Sequence, residues 1–271
     1  VAVTTKPFRF GVVVSILGDV RMWKDQVRRI AATGYLTVLM PDVQQWQPAP
    51  APTLAIAAAL ADIRVGTWVY ASPLRTPRSL AWEAHSLSVL TEGRFEMGIG
   101  TGRPGLEDQL RALGLPVVAP AQRLSRVRDA VTSLRELDGP QLHTPVVMAV
   151  SGPKACALAA ELADTVTLAA VPGDTRADLM RKVVPFQASG TVELALHIPV
   201  VGDAVSAFMA PPDTDPAALR AADSLLVLPA DPSAAAEELW RRREEGGFSY
   251  IVVGAAGAGV CAPVVEALTV R

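Results

Sequence analysis

The sequence has no unbroken apolar run near the ~18 residues that a bilayer-spanning helix needs, although half of its 271 residues are hydrophobic. It has only two cysteines, Cys156 and Cys261, and neither has metal-ligand spacing around it. A disulfide framework is therefore excluded, no metal site is expected, and both thiols are expected in the core. Charge of one sign is also missing. A formal net charge of -2, with acids and bases interleaved, gives no footprint for nucleic acid or an anionic membrane surface, so a small molecule is the expected partner. Aromatic residues make up 5%, which leaves Ala, Val, Leu and Ile to fill the core, as in a parallel sheet covered by helices. The chain contains no GxSxG, HExxH, P-loop or EF-hand pattern, so the usual signals for nucleophilic hydrolysis, zinc chemistry and ATP use are missing. Val1 to Arg9 lacks the basic, apolar, small-residue order of a secretory signal, which makes the cytoplasm the expected compartment.

What is present is alternation. Apolar runs of strand length alternate with amphipathic stretches of helix length along the whole chain, the pattern of βα units. Strands are predicted at Phe8 to Ser15, Tyr35 to Met40, Ile63 to Tyr70, Arg94 to Gly100, Pro145 to Val150, Thr165 to Ala169, Val192 to Val201 and Ser249 to Gly254. Between them lie predicted helices, including Leu54 to Ala61, Pro77 to Thr91, a short and a long helix within Leu106 to Leu137, and Pro153 to Ala163. Eight such units in one domain, residues 1–271, fit a closed (β/α)8 TIM barrel, a fold of about 250 residues. A doubly wound open sheet uses the same crossovers, but its GxGxxG turn is absent where the first strand ends in SILGDV.

In such a barrel chemistry collects where the strands end. GIGTGRPG, after strand four, is rich in glycines that let backbone amides approach a ligand, or that simply make a tight turn. Ser151, Gly152, Pro153 and Lys154 run straight into a helix whose N-terminus suits a phosphate, with Ser151 either bonding the ligand or capping the helix. Asp42, Gln44, Gln45 and Trp46, after strand two, offer polar handles and a flat apolar face that either stacks on a ring or closes the barrel end. Of the three histidines, His197 alone falls inside a strand where it can point into the barrel; the usual role of such a residue is a satisfied core histidine.

The stretch TPRSLAWEAHSLSVLTEGRFEMGIGTGR resembles the signature of the luciferase-like monooxygenase superfamily, and RFGVVVS, GYLTVLMPD, IRVGTWV and PVVMAVSGPKACALAAELADTVTLA support the likeness in order. The whole most resembles the coenzyme F420-dependent branch. That resemblance implies a bacterial luciferase-like barrel, frequent homodimers, and a tricyclic cofactor with a phosphate tail: coenzyme F420, or FMN in the monooxygenase branch. It implies that Trp68 and Val69 occupy a strand-three bulge with a non-prolyl cis peptide against the central ring. Thr101 and Gly102 would line the cofactor, and Ser151, Gly152 and Pro153 would bind its phosphate. Asp42, Gln44 and Trp46 are the expected catalytic residues, with Asp42 or Gln44 orienting the substrate, and Arg103 would contact an anionic substrate or a polyglutamate tail of the cofactor, or be solvated. Glu83 and Arg94 are expected to form a structural ion pair. Two departures stand out. Val43 replaces the histidine many members carry after Pro-Asp, and GPQLHTP is short where relatives have a longer cover. A hydride-transferring oxidoreductase, an FMN-dependent monooxygenase and a barrel that retains cofactor binding without catalysis all remain open.

Overall fold

A computed structural model describes residues 6–16, 18–44 and 46–269, apart from the side chains of residues 188 and 189. Eight parallel strands carry the fold: β1 (Arg9–Val13), β2 (Thr37–Met40), β3 (Arg64–Thr67), β4 (Phe95–Gly100), β5 (Val146–Val150), β6 (Thr165–Leu168), β7 (Glu193–Ile198) and β8 (Phe248–Gly254). Each pairs with its sequence neighbour, and β8 pairs with β1 in the register Val13 to Gly254, so the sheet closes into a (β/α)8 barrel. Because both faces are covered, the strands read as apolar runs; every residue of β4 and β8 is buried. Among the described residues ten α-helices surround the strands: α1 (Val20–Ala32), α2 (Pro50–Leu60), α3 (Pro77–Leu90), α4 (Leu106–Ala112), α5 (Pro120–Asp138), α6 (Pro153–Leu162), α7 (Arg176–Ser189), α8 (Pro216–Ala221), α9 (Pro232–Gly246) and α10 (Ala258–Thr269). Several start as their sequences dictate. Asp19, Thr76 and Asp231 cap the first turns of α1, α3 and α9 with side-chain oxygens, and Pro77 and Pro232 occupy positions where a missing N–H costs nothing.

Three elements differ from the sequence expectation. The third strand is not continuous to Tyr70: it stops at Thr67, the Trp68–Val69 peptide is cis, and pairing with β4 resumes at Tyr70–Ala71. The seventh strand ends at Ile198, because Pro199 has no N–H to continue the ladder, and Val200–Val201 joins Ala204–Val205 and Val227–Leu228 in a separate three-stranded sheet. Glu83 and Arg94 do not pair with each other. Glu83 accepts from the Tyr70 hydroxyl at 2.6 Å, while Arg94 donates to the carbonyls of Ala58, Ala61 and Ile63, the unpaired end of α2 and the turn after it.

At the bottom of the barrel a polar layer replaces hydrophobic packing. Arg9 bonds Glu96 at 2.9 Å and Glu193 at 2.7 Å and lies over the Tyr250 ring, 3.4 Å from its centroid. Tyr250 Oη donates to Glu96, while Thr165 and Ser249 donate to Glu193. At the top, Gly98 is required by close approach: a Cβ there would stand 1.9 Å from the Thr67 carbonyl oxygen. Among the described residues no helix is long and apolar enough to cross a membrane.

Candidate active site

The C-terminal ends of the strands form the mouth, and the chain itself closes one side of it. The segment after the short Ala204–Val205 strand turns inward: Ser206 packs so close to Gly254 that any Cβ at position 254 would meet its side chain at 2.1 Å. Met209 then enters an apolar cluster with Val13, Leu39, Trp68, Val147 and Val252. Above it Phe208 lies 5.5 Å from the Trp46 ring, with the Arg103 guanidinium over the other partner, 5.5 Å from the Trp46 centroid. Loops after β2, β4 and β7 thus meet over the β8 and β1 side of the mouth. The opposite side stays open, where Val69, Ala149, Thr101 and Gly102 are all partly exposed.

His197 links the two sides. Its Nε2 faces the Met209 carbonyl at 2.9 Å and its Nδ1 faces Trp68 Nε1 at 3.2 Å. Since the indole N–H can only donate, Nδ1 accepts and Nε2–H donates, which fixes the neutral tautomer. Burial lowers its pKa below 6.5, with the Met209 bond opposing. The unfolded chain binds this proton more readily, so the contribution to stability is complete above pH 6.5 and is lost as pH falls below it. We expect the denaturant midpoint of the native protein to fall between pH 8 and pH 5 by more than that of His197→Gln. The excess is limited to about 1.4 kcal/mol per pH unit, and equal pH dependence in the two proteins would remove His197 as the cause.

Asp42 does not face the open mouth. Its side chain has no exposed surface, and it accepts from Arg75 Nη1 at 2.5 Å, Arg75 Nη2 at 3.0 Å and the Ala71 amide at 3.2 Å. Asp42 thereby ties the loop after β2 to the segment after the cis peptide. Gln44 is exposed on the same loop, Trp46 is 56% exposed at the rim, and Gln45 lies outside the described residues.

The turn from β5 into α6 is a candidate anion site. Gly152, not Ser151, is the N-cap of α6 and makes no side-chain capping bond, so the first amides of α6 have no side-chain acceptor and the Ser151 hydroxyl is exposed. Ser151 and Pro153 open a groove of about 570 Å³ between α6 and α7. Its cations come from α7: Arg181, paired with Asp178, and Lys182, 3.7 Å from Asp174. Reading the sequence locally missed both, and Lys154, the expected cation, is exposed outside this lining. Cys156 also lines the groove and is only partly buried, unlike Cys261 in the core.

A family model described as luciferase-like monooxygenase matches residues 7–241. The chain belongs to the luciferase-like monooxygenase family. An F420-dependent glucose-6-phosphate dehydrogenase of Beutenbergia cavernae is 29% identical over 161 residues, covering 48% of this chain. The chain spans about half (47%) of the length of that curated relative. Solved structures with the same barrel include an F420-dependent secondary alcohol dehydrogenase in complex with an F420-acetone adduct, at 16% identity and TM-score 0.71 over 96% of this chain and 99% of that one. The oxygenating constituent of 3,6-diketocamphane monooxygenase from Pseudomonas putida, in complex with FMN, aligns at 13% identity and TM-score 0.68 over 97% and 98% of the two chains. Within this luciferase-like chain, the cis peptide at Trp68–Val69 agrees with what the sequence resemblance implied, and Val43 leaves the end of β2 without a histidine.

Proposed function

We propose that this luciferase-like protein is an oxidoreductase that moves a hydride between coenzyme F420 and a small organic substrate at the barrel mouth. One juxtaposition carries the reading: an α6 N-terminus without a side-chain cap, and a groove bearing Arg181 and Lys182, lie beside the open half of a mouth floored by Val69 and Ala149. The α6 amides, Ser151 and the two cations would hold a phosphate tail. Val69, Ala149, Thr101 and Gly102 would bound the flat ring, and the Trp68–His197 pair behind them keeps that wall fixed. The cofactor supplies the hydride chemistry; the protein supplies orientation and a partly dry surface. His197 holds its proton on Nε2 against Met209, so it serves as a positioning group. Arg103, with its guanidinium over Trp46 at the rim, would meet the substrate or the cofactor tail.

Anaerobic spectrophotometry tests the reading. Oxidised F420 with a panel of alcohols and sugar phosphates, and reduced F420 with carbonyl compounds, should show turnover with at least one member. In a separate aerated assay, an oxygenated product formed only when the protein and reduced FMN are both present, while F420 stays inert, would favour the monooxygenase, and cofactor binding without turnover would leave a non-catalytic barrel.

We also propose a homodimer built on α3. Trp82 and Leu90 are 66% and 74% exposed on one side of that helix, with Val89 beside them, and the adjacent α2 adds Ile56. Such a patch on a monomer marks an interface. Analytical ultracentrifugation should give a dimer for the native chain and a monomer for Trp82→Glu/Leu90→Glu; a monomeric native chain would refute the assembly.

A further inference from the structure

The rim where the loops after β2, β4 and β7 meet carries an aromatic wall and an unpaired cation side by side. Trp46 and Phe208 stand with ring centres 5.5 Å apart and planes inclined by 39°, and more than half of Trp46 remains exposed. The Arg103 guanidinium lies 5.5 Å from the centre of the Trp46 ring, so a molecule resting on the exposed indole is within reach of its N–H groups. Arg103 is itself exposed and has no ion pair among the described residues. Its hydrogen bond to Gln109 Oε1 is long, at 3.4 Å, which leaves most of the guanidinium donors for a ligand. Acids on the neighbouring segments are engaged elsewhere: Asp42 with Arg75, Glu107 with Arg123 and Asp108 with Arg111. The backbone holds the cation in place. Gly102 turns the chain at a φ of +93°, and a side chain there would collide with Leu106 in the first turn of α4.

The direction of the side chain separates Arg103 from the turn into α6. It leaves the loop after β4 and leans back over the loop after β2, whereas Ser151 and the α6–α7 groove lie past β5, on the other side of β4. A cofactor tail anchored in that groove extends away from Arg103, and the cation is left for the substrate. We propose that the substrate taken at this mouth is a small oxyanion, a carboxylate or a phosphate ester, on a flat apolar body: the anion pairs with Arg103 and the body lies against Trp46 and Phe208. A guanidinium fork matches either oxyanion with parallel hydrogen bonds, and an aromatic wall favours a flat partner. This assignment rests on the mouth being the substrate site of the proposed oxidoreductase, yet the contact itself can be read without cofactor.

The full chain, labelled with 15N and free of cofactor, is titrated with benzoate, phenyl phosphate, benzamide and acetate while the indole N–H resonances of its five tryptophans are followed. Trp46→Phe assigns the reporting peak. Benzoate or phenyl phosphate should shift that peak saturably, and the tighter of them identifies the oxyanion. Benzamide keeps the flat body without the charge, and acetate keeps the charge without the body; each should bind about tenfold more weakly or worse. Arg103→Gln should weaken anion binding about tenfold or more and leave benzamide unchanged, and Arg103→Lys should restore part of the loss. Because Arg103 is exposed, neither substitution should move the melting temperature. Arg181→Glu with Lys182→Glu should leave the Trp46 titration unchanged, which separates this contact from the groove beside α6. A Trp46 peak that moves with no anion, benzamide or acetate binding as tightly as benzoate, or benzoate binding indifferent to Arg103→Gln would overturn the assignment. Absence of F420 binding with an Arg103-dependent benzoate shift would remove the cofactor reading and keep the anion contact; F420 turnover without that shift would do the reverse.

Discussion

Arg9→Met should lower the stability of the barrel by about 3–5 kcal/mol, the cost of leaving a buried charge without its partner. The substitution keeps an unbranched apolar stem but strips the cation from Glu96 and Glu193, whose side chains are 2% and 8% exposed. Burial alone would depress the Arg9 pKa. Glu96, Tyr250 and Glu193 outweigh that and hold it above its ordinary value, so the guanidinium stays charged at every working pH. Without Arg9, at least one carboxylate must take up a proton or draw water into the barrel floor. The urea midpoint reports the loss. A triple substitution, Arg9→Met with Glu96→Gln and Glu193→Gln, should recover part of it, since no buried charge then remains unpaired. A loss under 1 kcal/mol from Arg9→Met alone would show that the floor network is solvated and not structural.

Reversing both groove cations, Arg181→Glu with Lys182→Glu, should weaken binding of a phosphorylated cofactor by about 100-fold or more. A charge-assisted hydrogen bond is worth about 1.5–3 kcal/mol, or roughly tenfold or more for each cation lost. Asp174 and Asp178 already sit in the groove, so reversal leaves four acids facing the phosphate. Stability should fall only modestly, since Arg181 has 72% of its side chain exposed, with most of the cost at Lys182, which is 29% exposed. Comparing FMN with riboflavin isolates the phosphate: the double variant should lose affinity for FMN and keep whatever affinity the native chain has for riboflavin. Equal losses for both would mean that the groove acts on the ring side, or through the fold.

The barrel was legible in the sequence because parallel strands buried on both faces must be continuous apolar runs, as FEMGIG and FSYIVV are, with amphipathic stretches between them. The interruption of β3 at Trp68–Val69 came from family likeness, since IRVGTWVY has no local sign of a break. The short sheet of Val200–Val201, Ala204–Val205 and Val227–Leu228 is not legible in the sequence, because two-residue strands are too short to show any periodicity. At the mouth the sequence located the loops but not the partners. Asp42 looks like a free acid until the fold brings Arg75, 33 residues away, onto both its oxygens. Arg181 and Lys182 read as ordinary helix-surface cations until α7 packs beside α6, and Met209 and Ser206 carry no signal for turning inward. Ser151 stands in the sequence where a cap is expected, but α6 starts at Pro153 and leaves Gly152 in that place.

The most direct measurement is a titration of purified apo-protein with coenzyme F420 and, separately, with FMN, following fluorescence quenching and the absorbance of any chromophore that co-purifies. The account predicts saturable micromolar binding of F420, with FMN weaker, and competition by inorganic phosphate at the α6–α7 groove. Binding of neither cofactor, under conditions where the chain is folded, would contradict it.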